Sequence, residues 1–133
     1  MELAAQGSRG DREVLIVDDD PLIVEVLEEV LREEGFRARG MTDPVAALDR
    51  LRHCAPSERP DLILLDCVMP SLSGGEFLDA LRASEIETPV VLLTALSDPS
   101  FCVPPGAAHV INKPFNLEEL VEEVNASARP SRP

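Results

Sequence analysis

Carboxylate, hydroxyl and ammonium side chains occur in this sequence immediately after, or within two residues of, short apolar runs. Three carboxylates that converge on one point would repel one another and raise one another's pKa values unless a cation lay between them. Mg²⁺ suits such a site, because it prefers oxygen ligands and is typically held by one or two carboxylates and a phosphate. A nearby lysine ammonium and threonine hydroxyl could donate to phosphoryl oxygens. The residues concerned are Asp18, Asp19, Asp66, Thr94 and Lys113.

A carboxylate in such a cluster can also attack phosphorus and form an aspartyl phosphate. Asp66 suits this role because it would lie between the cation and Lys113. Asp19 and Asp66 are suitable direct ligands of Mg²⁺, and Asp18 could bind it directly or through water. These residue types therefore predict Mg²⁺-dependent phosphoryl chemistry, provided that the fold brings them together.

The elements that must position these side chains follow an alternating pattern. Apolar, strand-like runs at 14–17, 62–65, 90–93 and 110–111 alternate with helical segments, and a weaker strand is expected at 36–39. Helices are expected to begin at Asp20-Pro21, Thr42-Asp43-Pro44, Glu76 and Asn116. Such alternation predicts a parallel sheet covered by helices on both faces, with its ligand site beyond the carboxyl ends of the strands.

The length of 133 residues predicts one domain with a core of its own. We expect a flexible N-terminal segment at 1–12, the folded domain at 13–127 and a flexible tail at 128–133. No apolar run has membrane length and no secretory signal is evident, so the expected location is the cytoplasm, without membrane contact. The net charge of −13 would repel phosphates of nucleic acid, which predicts no direct binding to it.

Four segments of the sequence together resemble the signature segments of receiver domains from two-component signalling systems. They read VLIVDDDP, LILLDCVMP, VVLLTAL and INKPF, in this order, and the resemblance covers about residues 13–127. It implies an α/β fold: a doubly wound (βα)5, flavodoxin-like three-layer sandwich with the parallel strand order 2-1-3-4-5.

The resemblance also implies a role for each site residue. Asp66 would be the phosphoacceptor, Asp18 and Asp19 would organise Mg²⁺, and the backbone carbonyl of Val68 would be a further metal ligand. Thr94 would contact the phosphoryl group and Lys113 would neutralise it. Receivers of this family also often have a cis peptide bond before the proline that follows this lysine.

A receiver is a switch and not a conventional enzyme, since its chemistry is limited to its own phosphorylation and dephosphorylation. The resemblance implies a sensor histidine kinase or phosphotransfer protein as phosphodonor, and a downstream protein effector as the partner whose binding changes.

Four features depart from the family pattern. Val110 stands where receivers usually carry an aromatic residue, and strand alternation points the neighbouring His109 to the opposite side. Three prolines between Thr94 and Gly106 predict a fourth helix that is shortened or replaced by a loop, because an interior proline costs about 3 kcal/mol. Ser73 stands where the family often has aspartate. Apolar Val68 is expected to limit hydrolytic water and to lengthen the life of the phosphoryl group.

Two alternative functions fit part of the sequence. A haloacid-dehalogenase-like phosphatase with Asp18 as nucleophile would use Thr94 and Lys113, but it would leave Asp66 unexplained. A pseudo-receiver would keep the fold as a constitutive protein-binding module, consistent with the departures at Val110 and in the fourth-helix region. The complete set of five site residues favours a chemically competent receiver.

Overall fold

A computed structural model describes residues 12–95 and 106–130 of the chain, apart from the side chain of Ala95. Strands and helices alternate along residues 12–95, with one short 3-10 helix after the second helix. Their bounds are β1 Glu13–Val17, α1 Pro21–Glu33, β2 Arg37–Met41, α2 Pro44–His53, the 3-10 helix Pro56–Glu58, β3 Leu62–Asp66, α3 Gly74–Ala83, β4 Val90–Ala95, β5 His109–Lys113 and α4 Leu117–Ser127.

The five strands form one sheet in the order β2-β1-β3-β4-β5, and every paired strand is parallel to its neighbour. The predicted doubly wound α/β fold and strand order are therefore confirmed. The predicted shortening of the fourth helix concerns the crossover between β4 and β5, where 96–105 lie outside the described residues.

Two apolar clusters, one on each face of the sheet, form the core. The first joins alternate residues of the central strands to α2 and α3 through side chains such as Leu51 and Phe77. The second joins the intervening strand residues to α1 and α4 through Leu27 and Leu120. This alternation makes β1 and β3 almost fully buried, because both faces of each strand are covered. The rigid centre of the sheet thus carries the two strands that lead to Asp18 and Asp66.

The starts of the helices are fixed by side-chain caps. Asp20, Asp43 and Asn116 each accept hydrogen bonds from the first-turn N–H groups of α1, α2 and α4, as predicted from the sequence. α1 ends before Gly35, whose φ of 96° lies in the left-handed region that favours glycine.

The third helix begins earlier than the sequence predicted. The sequence predicts a start at Glu76, whereas α3 begins at Gly74. Ser73 is the reason, because its hydroxyl accepts the Glu76 N–H at 3.1 Å while the Glu76 carboxylate accepts the Ser73 N–H at 2.9 Å. This reciprocal capping box extends the helix over both glycines.

Both described ends of the chain pack against the domain. The Arg12 side chain is buried, lies 5.1 Å from the centroid of the Phe36 ring and donates to Asn125. At the other end Ala128 is buried, and the Arg129 N–H donates to the Asp61 carbonyl at 3.0 Å. The predicted boundaries at 12/13 and 127/128 stay a prediction. No helix within the described residues is long and apolar enough to cross a membrane.

Candidate functional site

The carboxyl ends of three strands bring the main candidate residues to one edge of the sheet. Asp18 follows β1, Asp66 is the last residue of β3, and Lys113 is the last residue of β5. β1 and β3 are direct neighbours, so the two carboxylates meet. Lys113 reaches them from beyond β4, which lies between β3 and β5.

Lys113 joins the two buried carboxylates. Its Nζ lies 3.2 Å from Asp18 Oδ2 and 3.4 Å from Asp66 Oδ1, close enough for an ion pair with each. Asp18 is fully buried, and its other carboxylate oxygen accepts the Asp20 N–H at 2.9 Å. Buried charges of this kind need partners, and Lys113 supplies one to both aspartates.

Asp19 completes a group of three carboxylates. Each of the three residues Asp18, Asp19 and Asp66 offers one carboxylate oxygen, and these oxygens lie within 4.8 Å of one another. Of the three residues, only Asp19 is exposed to solvent. An all-oxygen donor set of this size fits a hard divalent cation such as Mg²⁺. The convergence expected from the sequence is therefore present in the structure.

The electrostatics of the cluster depend on burial and on the charges of its three carboxylates and one ammonium. Burial, together with the negative charge of Asp18, raises the pKa of Asp66 even though Lys113 acts in the other direction. Burial alone would lower the pKa of Lys113, but the two carboxylates outweigh it and the pKa is raised. Lys113 therefore stays protonated, and its charge does not fully offset the effects of burial and of Asp18 on Asp66.

Thr94 is buried near the end of β4, where its side chain interacts with the thiol of Cys67. Burial raises the pKa of Cys67 to about 11, and the Thr94 hydrogen bond partly opposes that rise. The pattern of residue types in the sequence did not point to this contact. The contact follows from the register of the two strands, because pairing of Asp66 with Leu93 puts Cys67 beside Thr94.

Val68 lies in the loop that follows β3, with 70% of its surface exposed. Its N–H lies 3.4 Å from Asp66 Oδ1 and donates a long hydrogen bond to it. The Val68 side chain therefore stands beside Asp66 at the solvent boundary. Its carbonyl as a metal ligand stays a prediction.

The other departures noted in the sequence also have defined places. Val110 is partly buried and packs against the cluster formed with α2 and α3, whereas His109 is exposed and lies 3.2 Å from the Glu123 carboxylate. The two side chains thus point to opposite faces, as strand alternation predicted. The Lys113–Pro114 peptide bond is cis, as the resemblance implied.

Comparison with known protein families identifies the family of this chain. The model of the response regulator receiver domain matches residues 14–125. The chain belongs to the response regulator receiver family. Its members are phosphorylation-dependent signalling switches of two-component systems and not conventional enzymes. This membership sets aside the haloacid-dehalogenase interpretation.

Receiver relatives support this assignment in both sequence and structure. The DNA-binding response regulator MtrA of Mycolicibacterium smegmatis is 40% identical over 119 residues, which cover 87% of this chain and 50% of that protein. A CheY-like receiver domain protein from Methanospirillum hungatei superimposes with a TM-score of 0.73 at 26% identity, covering 85% of this chain and 90% of that chain.

A third relative bears on the metal. The receiver domain of the sensor histidine kinase PA1611 from Pseudomonas aeruginosa has a TM-score of 0.76 at 30% identity, covering 87% of this chain and 96% of that chain. That structure contains a magnesium ion coordinated in its active site cleft. A receiver of the same fold thus binds the ion that the donor set here fits.

The partner prediction made from the sequence is wrong in excluding nucleic acid. The chain spans about half the length of the curated relatives it matches, and MtrA among them is named as DNA-binding. The exclusion relied on a net charge of −13, which repels phosphates only locally. The net charge of this chain therefore does not indicate what relatives of about twice its length bind.

Proposed function

We propose that this chain is a phosphorylation switch in which Asp66 accepts a phosphoryl group from a histidine kinase in a Mg²⁺-dependent reaction. The observation that carries the proposal is the Lys113 ammonium within 3.4 Å of both Asp18 and Asp66 in a cluster of three carboxylates. A structural ion pair needs only one carboxylate. Three converging carboxylates cost folding energy unless a cation and a phosphoryl group use them.

The transfer step uses the Asp66 carboxylate as nucleophile. One carboxylate oxygen attacks the phosphorus of a phosphohistidine, forming a P–O bond as the P–N bond breaks, and the imidazole leaves with the bonding electron pair. The product is an aspartyl phosphate. Negative charge at the phosphoryl oxygens is stabilised by the Lys113 ammonium, which the buried carboxylates keep protonated.

Asp18, Asp19 and Asp66 are the side chains that would hold Mg²⁺, with the Val68 carbonyl as an additional ligand. When bound, the ion neutralises charge shared between the carboxylates and the phosphoryl oxygens. Asp18 is held for this task by the N–H of Asp20 and by its fixed position after β1. Asp19, which is exposed, provides the ligand on the side facing solvent.

Thr94 is proposed to link phosphorylation to a change of shape. Its hydroxyl must leave the Cys67 thiol to donate to a phosphoryl oxygen on Asp66, and this exchange gives the side chain two alternative partners. Coupling of this kind is typically worth about 1 to 3 kcal/mol. Val110 has no ring to rotate into the space that Thr94 vacates, so the shift is transmitted by the β4 backbone and aliphatic packing.

Intact-protein mass spectrometry after incubation with acetyl phosphate tests the proposal. We expect one phosphoryl adduct on the wild type with Mg²⁺, and none on Asp66→Ala or in the presence of EDTA. Asp79→Ala is the matched control, because Asp79 is an exposed carboxylate on α3 away from the cluster, and it should be labelled like the wild type. Absence of an adduct, or an adduct that persists on Asp66→Ala, would contradict the proposal; the former result would favour the pseudo-receiver.

A further inference from the structure

Cys67, the residue after Asp66, is the side chain that lies beside Thr94 in the sheet. β3 and β4 are parallel neighbours in which Asp66 pairs with Leu93. The next pair along the two strands is therefore Cys67 and Thr94. The Cys67 N–H donates to the Leu93 carbonyl at 3.0 Å, which extends this register past the end of β3. Neighbouring strands lie about 4.8 Å apart, so paired side chains on one face are within reach of each other.

Strand alternation puts the side chains of Cys67 and Thr94 on the same face of the sheet. Cys67 and Leu92 both belong to the apolar cluster packed against α2 and α3. Thr94 follows Leu92 by two residues on β4 and so points to that face. Cys67 is 8% and Thr94 5% exposed, so water has little access to either. The interaction with Thr94 also partly opposes the rise in the pKa of the Cys67 thiol, as expected for a direct contact.

The other neighbours of Thr94 in the register offer its hydroxyl no buried polar group. On β5, Thr94 pairs with Asn112, which is exposed. Leu92 and Val110, which pair with each other two residues further into the sheet, are apolar. Among these register neighbours, the Cys67 thiol is therefore the buried group able to form a hydrogen bond with the Thr94 hydroxyl.

We propose that Cys67 is a positioning residue, which holds the Thr94 hydroxyl on the α2 and α3 face of the sheet until Asp66 is phosphorylated. This inference rests on the phosphorylation function proposed above. A phosphoryl group on Asp66 competes with the thiol for the hydroxyl and displaces it, because a charged oxygen forms a stronger hydrogen bond than a thiol does. Cys67 thereby slows phosphorylation of Asp66, since Thr94 must leave the thiol before it can donate to the phosphoryl group.

The rate at which acetyl phosphate labels Asp66 in the presence of Mg²⁺, followed by intact-protein mass spectrometry, tests this assignment. Cys67→Val removes the thiol and keeps an apolar side chain of similar size. Its rate constant should be about threefold or more above that of the wild type, the range expected for the loss of one weak competing hydrogen bond. Cys67→Ser keeps a hydrogen-bonding group at the same position and should be labelled no faster than the wild type. If circular dichroism shows that Cys67→Val is unfolded, Cys67→Ala removes the same hydrogen bond without added bulk and takes its place.

A double-mutant cycle with Thr94→Val separates positioning from packing. In the Thr94→Val background, Cys67→Val should change the rate constant by less than about 1.5-fold, because no hydroxyl is left for the thiol to hold. A packing effect would instead change the rate constant equally in both backgrounds, and this result would overturn the proposal. Labelling of Cys67→Val at the wild-type rate would also overturn it.

Cys54→Val provides the matched control. Cys54 lies at the C-terminal end of α2, where its thiol donates to the Leu51 carbonyl at 3.5 Å. The same substitution there should leave the labelling rate of Asp66 unchanged. Absence of any adduct on the wild type would contradict the proposed function itself, whereas normal labelling without coupling between Cys67 and Thr94 would contradict only the role of Cys67.

Discussion

At the scale of single residues, the central feature is a lysine shared between two carboxylates. Lys113 lowers the electrostatic cost of Asp18 and Asp66 but does not cancel it, because burial and repulsion still raise the pKa of Asp66. In the metal-free protein the ionised Asp66 side chain therefore destabilises the fold. A cation bound between these carboxylates would relieve the same imbalance.

This imbalance gives a prediction for Asp66→Asn in the absence of metal. The folded-state pKa of Asp66 lies above the unfolded one, so stability is lost as pH rises through the folded pKa and is recovered below it. In EDTA at neutral pH, Asp66→Asn should unfold at a higher urea concentration than the wild type, because the substitution removes the buried carboxylate whose ionised form is disfavoured in the folded protein. The difference should shrink as pH falls into the ordinary range of carboxyl pKa values.

Urea titrations monitored by circular dichroism at several pH values provide this measurement. Asp79→Asn is the control, since it removes an exposed carboxylate and should show the pH dependence of the wild type. A constant difference between Asp66→Asn and the wild type at all pH values would count against a raised pKa at Asp66.

We predict that Val68 influences the lifetime of a phosphoryl group on the same carboxylate. Its exposed apolar side chain stands next to Asp66, to which its N–H donates. Val68→Asn would place an amide able to orient water beside the aspartyl phosphate, so the phosphoryl group should be lost about tenfold faster, as expected for positioning by one polar group. Dephosphorylation half-lives measured by mass spectrometry compare the two proteins, with Val68→Leu as an apolar control. Equal half-lives for all three proteins would refute the role of Val68.

At the scale of elements, the loop between β3 and α3 connects Asp66, the proposed phosphoacceptor, to the start of a helix. The Gly74 N–H donates to the Cys67 carbonyl at 3.0 Å, and a Cβ added at Gly74 would lie 3.0 Å from the Cys67 Cα. The loop therefore folds back tightly on the residue after Asp66. Ser73 holds this arrangement by capping α3 from the adjacent position.

Loss of this cap should be measurable as stability. Ser73→Ala removes the hydroxyl that accepts the Glu76 N–H, which should cost about 1 kcal/mol in free energy of unfolding. Ser73→Asp keeps an acceptor at the same position and should stay within a few tenths of the wild-type value. Thermal or urea unfolding of the wild type and the two variants measures these differences in free energy of unfolding. Equal destabilisation by alanine and aspartate would show that the cap contributes little.

How much could be read from the sequence also depends on the element. Strands β1 and β3 were predictable because continuous apolar runs end on aspartates. β2 was harder, because the exposed Arg37 and Arg39 alternate with a single buried alanine at an edge of the sheet. The Thr94–Cys67 contact depends on the register of β3 against β4, and uniformly apolar strands do not specify register in their sequence.

At the scale of the whole molecule, charge is distributed unevenly between the two ends of the sheet. The carboxyl ends of the strands carry the carboxylates of Asp18, Asp19 and Asp66. Four arginines lie near the amino ends: Arg37, Arg39, Arg50 and Arg59. A net charge of −13 also opposes compaction through general repulsion. Any added salt should relieve that repulsion by screening, whereas a specific metal site should respond to Mg²⁺ alone.

Thermal unfolding in MgCl₂ and NaCl at equal ionic strength separates these two effects. The wild type should be stabilised more by MgCl₂, by roughly 2.7 kcal/mol at a concentration one hundred times the dissociation constant. In Asp18→Asn/Asp66→Asn the two salts should act alike, because only screening remains. Asp49→Asn/Asp79→Asn removes the same charge from exposed positions on α2 and α3 and should keep the excess effect of MgCl₂. If all three proteins respond to the two salts in the same way, the carboxylates after β1 and β3 do not form a magnesium site, and acidic repulsion alone accounts for the influence of cations on this fold.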